Sequence, residues 1–60
     1  MTTEEIISGL RDYCLLNTAH GMDTALVTLT DEDWADIANK ANGSFLDAVT
    51  HLWVAMGKAI

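Results

Sequence analysis

The side chains able to do chemistry in this chain are mostly carboxylates, and they fall into two groups. Asp31, Glu32, Asp33 and Asp36 crowd one short stretch, while Glu4, Glu5 and Asp12 lie near the start. Paired carboxylates serve general acid–base catalysis when a pocket perturbs one pKa and positions a substrate. A chain this short, with its acids on outer helix faces, offers little concavity, so no enzyme activity and no catalytic residue are expected. A calcium loop needs oxygen ligands at alternate positions and a glycine at the turn, and Asp31-Glu32-Asp33-Trp34 has neither. Two readings of the acids stay open. Acids in a first helical turn satisfy the free amides and the helix dipole there, and Asp36 with Lys40 forms an ordinary i, i+4 pair. Alternatively, Glu32, Asp33 and Asp36 join Glu4, Glu5 and Asp12 in one surface whose carboxylates imitate a run of phosphates. Whether the two groups lie side by side is a question of tertiary structure.

Cys14, His20 and His51 are the remaining reactive types. No H-x-x-x-H, C-x-x-C or nucleophile elbow occurs, so neither a metal site nor a nucleophilic centre is expected, and no cofactor is implied. Cys14 falls on an apolar helical stripe and reads as a small core residue. His20 precedes Gly21 near a helix end, where a cation suits the dipole. Trp34 and Trp53 read as core, because a base-stacking platform requires cationic neighbours that are missing here.

The charge balance narrows the partners. Nine acids against three bases leave a net charge of −6 on 60 residues. Direct binding to nucleic acid or to anionic lipid is not expected, since phosphate affinity comes from lysine and arginine. A larger protein with a basic surface is the complementary partner. The start, MTTEEI, is acidic where a secretory signal is basic. The longest apolar run, Leu52 to Met56, is far below the ~20 residues of a membrane span. With a single free cysteine, these features lead us to expect a cytoplasmic protein with no membrane segment.

The elements follow from capping and periodicity. Thr2, Thr30 and Ser44 each precede an acid by three positions. Only Thr2 with Glu5 has the full capping-box residues; Asp33 and Asp47 stand where Glu or Gln is preferred. Gly21 and Gly43 mark stops. From Thr3 to about Leu16, Ile6, Ile7, Leu10, Tyr13 and Cys14 share one face, with Leu15 and Leu16 off it in opposite directions. Met22 to Leu29 reads either as a short helix capped by Asp23 or as a strand alternating at Ala25, Val27 and Leu29, and helix or irregular packing is favoured. Asp31 to Asn42 is a helix with Trp34, Ile37, Ala38 and Ala41 inward. Ser44 to Ile60 is a helix with a wide apolar half, from Phe45 and Leu46 through Ala55, Met56, Ala59 and Ile60. Its polar half is Asp47, Thr50, His51, Gly57 and Lys58, with Val54 as an apolar intruder.

The expected fold is therefore all-α, one small domain over residues 1–60. Three main helices and a possible short fourth element (22–29) pack on the C-terminal helix. The expected function is stoichiometric binding: an inhibitor or modulator occupying a basic surface of a larger complex. Short acidic helical proteins of this kind occur among phage-encoded inhibitors such as anti-CRISPR proteins and DNA mimics, a likeness of size and charge only. The alternative is a self-associating module, monomer turned homodimer, whose core is completed across Val54, Leu15 or Leu16, or the 25–29 segment.

Overall fold

The computed structural model describes residues 1–57 and, within them, only helices and turns. Helix α1 spans Thr3–Leu16, α2 Ala25–Thr28, α3 Asp31–Lys40 and α4 Phe45–Ala55. Two single turns of 3₁₀ helix, Thr18–His20 and Met22–Thr24, link α1 to α2. The placements expected for Lys58, Ala59 and Ile60 lie outside the described residues.

Each main helix starts at its hydroxyl cap. Thr2 Oγ1 accepts from the Glu5 amide at 3.2 Å, and Glu5 Oε1 accepts from the Thr2 amide at 3.0 Å. Thr30 and Asp33 form the same reciprocal pair at 3.2 and 3.0 Å. Aspartate closes this capping box as fully as glutamate closes the first. At Ser44 the bond runs one way only, from the Asp47 amide to the serine hydroxyl. Asp23 caps nothing: the 3₁₀ turn at Met22 has no side-chain cap, and Thr24 Oγ1 donates instead to the Gly21 carbonyl.

The stops are equally local. Gly21 (φ 73°) lets the chain leave one 3₁₀ turn for the next, in a left-handed conformation that glycine adopts without strain. After α3, Asn42 and Gly43 take left-handed conformations in succession and turn the chain into α4. Helix α4 ends about one turn earlier than its apolar pattern implies, because Gly57 (φ 70°) also turns left-handed. Gly57 is thus a terminator and not a member of the helix's polar face.

Ile6, Leu10 and Cys14 of α1 meet Met22, Ala25, Trp34, Ile37, Ala38, Ala41, Ala48 and Leu52 in one core. Helices α1 and α3 run antiparallel, with Arg11 beside Asp31 at one end and the Met1 carbonyl beside Gly43 at the other. Helices α1 and α4 run in the same general direction, paired at Gly9–Phe45 and Tyr13–Trp53. The bundle packs on α4 through Ala48 and Leu52, with Phe45, Val49, Trp53 and Met56 half-buried. Leu46 and Ala55, expected on the apolar half, face outward. They sit at the two edges of an arc wider than α1 and α3 together cover.

The ambiguous 22–29 segment is helical. Met22 and Ala25 are buried, Leu26 and Leu29 half-buried, and Val27 is 89 % exposed. That spacing follows a helical turn and not strand alternation. Leu15 and Leu16 are exposed as well, so α1 simply ends there without neighbours that receive them.

Candidate acidic interface on helices 1 and 3

The acids expected to form one surface are all exposed, but they are not equivalent. Glu5 and Asp33 serve as capping partners of their own helices. The amide and hydroxyl of Thr2 hold the Glu5 carboxyl below its ordinary range. Asp36 pairs with Lys40 at 2.9 Å, one turn along α3. Glu4, Asp12 and Glu32 have no cation against them among the described residues.

Arg11 joins the two groups. Its guanidinium lies 3.7 Å from Asp31 Oδ1 and 5.7 Å from the centre of the buried Trp34 ring. This places the acidic first turn of α3 against the third turn of α1, while Glu4 and Glu5, at the start of α1, lie toward the other end of α3. Exposed pairs of this kind contribute about 0–1 kcal/mol each, so Arg11 matters mainly for what it occupies. The arginine and lysine of the described residues, Arg11 and Lys40, sit on α3 carboxylates, while the N-terminal ammonium acts on Glu5 of α1.

Along the outer face of α1, Glu4, Ile7, Ser8, Arg11 and Asp12 line an open groove of about 310 Å³. Glu4, Ser8 and Asp12 are spaced i, i+4, i+8 and form one ridge, with Ile7 and Arg11 on the next. Leu15, 59 % exposed, extends the same face by another turn.

Val54 belongs elsewhere. It is 65 % exposed on α4, in line with Thr50 and with Leu46, which is 77 % exposed. Cys14 is fully buried, and burial with the nearby Asp23 charge pushes its thiol upward. No group of three His, Cys, Asp or Glu side chains among the described residues is arranged to hold a metal ion. No described helix is long and apolar enough to cross a membrane.

Two features escaped sequence reasoning. Asp31 was one acid among several until the fold set it against Arg11, a contact across 20 positions with no local signal. The groove on α1 depends on Ile7 being only half-buried, which its place on the apolar stripe did not reveal. No protein-family model matches this chain, and no curated protein or solved structure matches it either.

Proposed function

We propose that this chain acts by stoichiometric binding without catalysis, occupying a basic, nucleic-acid-binding surface of a larger protein. The observation in its support is the exposure of the acids of both α1 and α3, with the Arg11 and Lys40 side chains already held by α3 carboxylates. An exposed surface of one sign attracts the opposite sign over roughly a Debye length, about 8–10 Å at moderate salt. Phage-encoded anti-CRISPR and DNA-mimic proteins are the functional analogue.

The test is retention of nuclease-treated lysate proteins on the immobilised chain, followed by a salt gradient and mass spectrometry. We expect a nucleic-acid-handling protein released at moderate salt, whose DNA binding is blocked one-to-one by this chain. The variant to compare is Glu32→Lys/Asp36→Lys, which spares the Asp33 cap. Retention indifferent to both salt and this variant would refute the proposal.

Self-association is the second reading, favoured by Leu16, Val27, Leu46 and Val54, all exposed. Against it, the accessible surface is 3785 Å². A folded monomer of this mass exposes about 3,800 Å², so the core is not visibly short of a partner. A melting temperature that rises with protein concentration, and falls back in Val54→Asp, would reverse that preference.

A further inference from the structure

We propose that the Asn42–Gly43 turn between α3 and α4 is a covalent modification site, independent of the binding function proposed above, at which the chain deamidates itself through a cyclic imide. The chemistry needs a side-chain amide and, on the next residue, a backbone N–H that is sterically open and not otherwise engaged. The chain has three asparagines. Asn17 is half-buried, its Nδ2 donates to the Tyr13 carbonyl at 2.8 Å, and the β-branched Thr18 follows it. Asn39 lies inside α3, and Lys40 after it continues the helix. Asn42 alone is followed by glycine, and both residues of that pair are exposed.

Little holds this turn. The Gly43 N–H donates to no backbone acceptor among the described residues. The Asn42 amide stands 3.5 Å from the Asn39 carbonyl, beyond the ordinary hydrogen-bond range. Only the Ser44 amide, 3.0 Å from the Ala41 carbonyl, closes the turn across both residues. Asn42 itself holds φ 52°, a left-handed conformation that a Cβ disfavours. Beyond its chain neighbours, a Cβ on residue 43 would come within 4 Å of the Met1 carbonyl oxygen alone, at 3.7 Å. The Asn42–Gly43 peptide can therefore swing toward the asparagine side chain by a local opening that breaks one hydrogen bond. In that opened geometry the Gly43 nitrogen gives its proton to water and attacks Asn42 Cγ. The new N–Cγ bond closes the imide ring as the Cγ–Nδ2 bond breaks, and Nδ2 takes up a proton and departs as ammonia. Water then adds to either carbonyl carbon of the ring. Breaking the bond from Gly43 N to Cγ leaves aspartate, and breaking the bond from Gly43 N to the main-chain carbonyl carbon leaves isoaspartate. One water is consumed and one ammonia released, with nothing oxidised or reduced. Both products carry one more negative charge just past the C-terminal end of α3, where the helix dipole is already negative. Isoaspartate also lengthens the backbone by a methylene, two residues before the Ser44 cap of α4.

The experiment incubates the full chain in mildly alkaline buffer, folded and in denaturant. It follows the amide-to-acid mass gain of each asparagine peptide, the ammonia released, and isoaspartate by enzymatic methyl transfer. In the folded chain Asn42 should convert at least ~10-fold faster than Asn17 and Asn39, and within ~10-fold of its own rate in denaturant. Asn42→Gly keeps a residue at ease with positive φ, so it preserves the turn and should remove the fast phase of ammonia release. Folded-state conversion of Asn42 more than ~10-fold slower than in denaturant, or by less than that margin over Asn39, would overturn the proposal, because the turn would then be protecting the amide. Conversion that yields aspartate with no isoaspartate would overturn the cyclic imide. Asn42→Asp reproduces one product and should lower the melting temperature by ~2–5 °C. An unchanged melting temperature would overturn the dipole argument.

Discussion

Cys14 shows how one side chain reports on the whole fold. Its sulfur is fully buried and its thiol raised by desolvation, so the reactive thiolate is scarce in the native state. Labelling by a thiol reagent should be slow at neutral pH and accelerate sharply in denaturant. Fast labelling of the native protein would show that the core opens easily. The raised value also has a sign. Stability is complete below the ordinary thiol value of 9.0 and declines as pH rises past it, because only the unfolded chain ionises readily there. Glu5 acts in the opposite sense. Its carboxyl is lowered by the Thr2 amide and hydroxyl, so its contribution is complete above 4.5 and is lost as pH falls through the folded value. Glu5→Gln keeps the acceptor and removes the titration. Acid melts of this variant should therefore lose less stability below that pH than the parent does.

At the scale of the element, each helix depends on its ends and on one close approach. The Thr30–Asp33 box supplies bonding for two amides that the helix itself leaves free. Thr30→Ala should cost about 1 kcal/mol in a denaturant melt. If it costs nothing, α3 is held by Trp34 and Ile37 alone. Helices α1 and α4 meet where Gly9 faces the Phe45 ring. A Cβ on residue 9 would stand 2.8 Å from Phe45 Cε1, closer than packed atoms tolerate. Alanine improves helix propensity by about 1 kcal/mol over glycine, yet we expect Gly9→Ala to destabilise, because the ring must leave its seat. The same change in a Phe45→Leu background should stabilise, and equal effects in both backgrounds would contradict the contact. Further along, Trp53 Nε1 donates to Tyr13 Oη at 2.9 Å, and the His20 ring meets Trp53 edge-on with centroids 5.7 Å apart. These contacts tie the first 3₁₀ turn and α1 to the end of α4.

The whole molecule is governed by its charge. With a net charge of −6, and with the Arg11 and Lys40 side chains already paired, like-charge repulsion acts against the folded state. Screening relieves it, while the two exposed ion pairs lose little. The melting temperature should therefore rise between low and physiological salt. In Glu32→Lys/Asp36→Lys, whose net charge falls to −2, the rise should shrink. A melting temperature that drops with added salt would mean that the ion pairs outweigh the repulsion. The same salt should weaken binding to a basic partner, so stability and affinity are expected to move in opposite directions.

Much of this fold was legible in the residue order, because helix boundaries are local events. Hydroxyl caps, the left-handed stops at Gly21 and Gly43, and the stripe Ile6–Leu10–Cys14 act within a few residues and could be read directly. The end of α4 at Gly57 was hidden by a continuing apolar pattern, since a pattern shows where a helix is able to pack and not where the backbone turns. The 22–29 segment was undecided because its spacing satisfied both periods; Met22 and Ala25 entering the core settled it. The acidic residues were all visible as acids and all correctly placed outside. The caps at Glu5 and Asp33 and the Asp36–Lys40 pair are equally local; only the Arg11–Asp31 pair required the approach of α1 and α3. Arg11 and Asp31 are distant in the chain, and only the packing of Trp34 beneath the arginine brings them together.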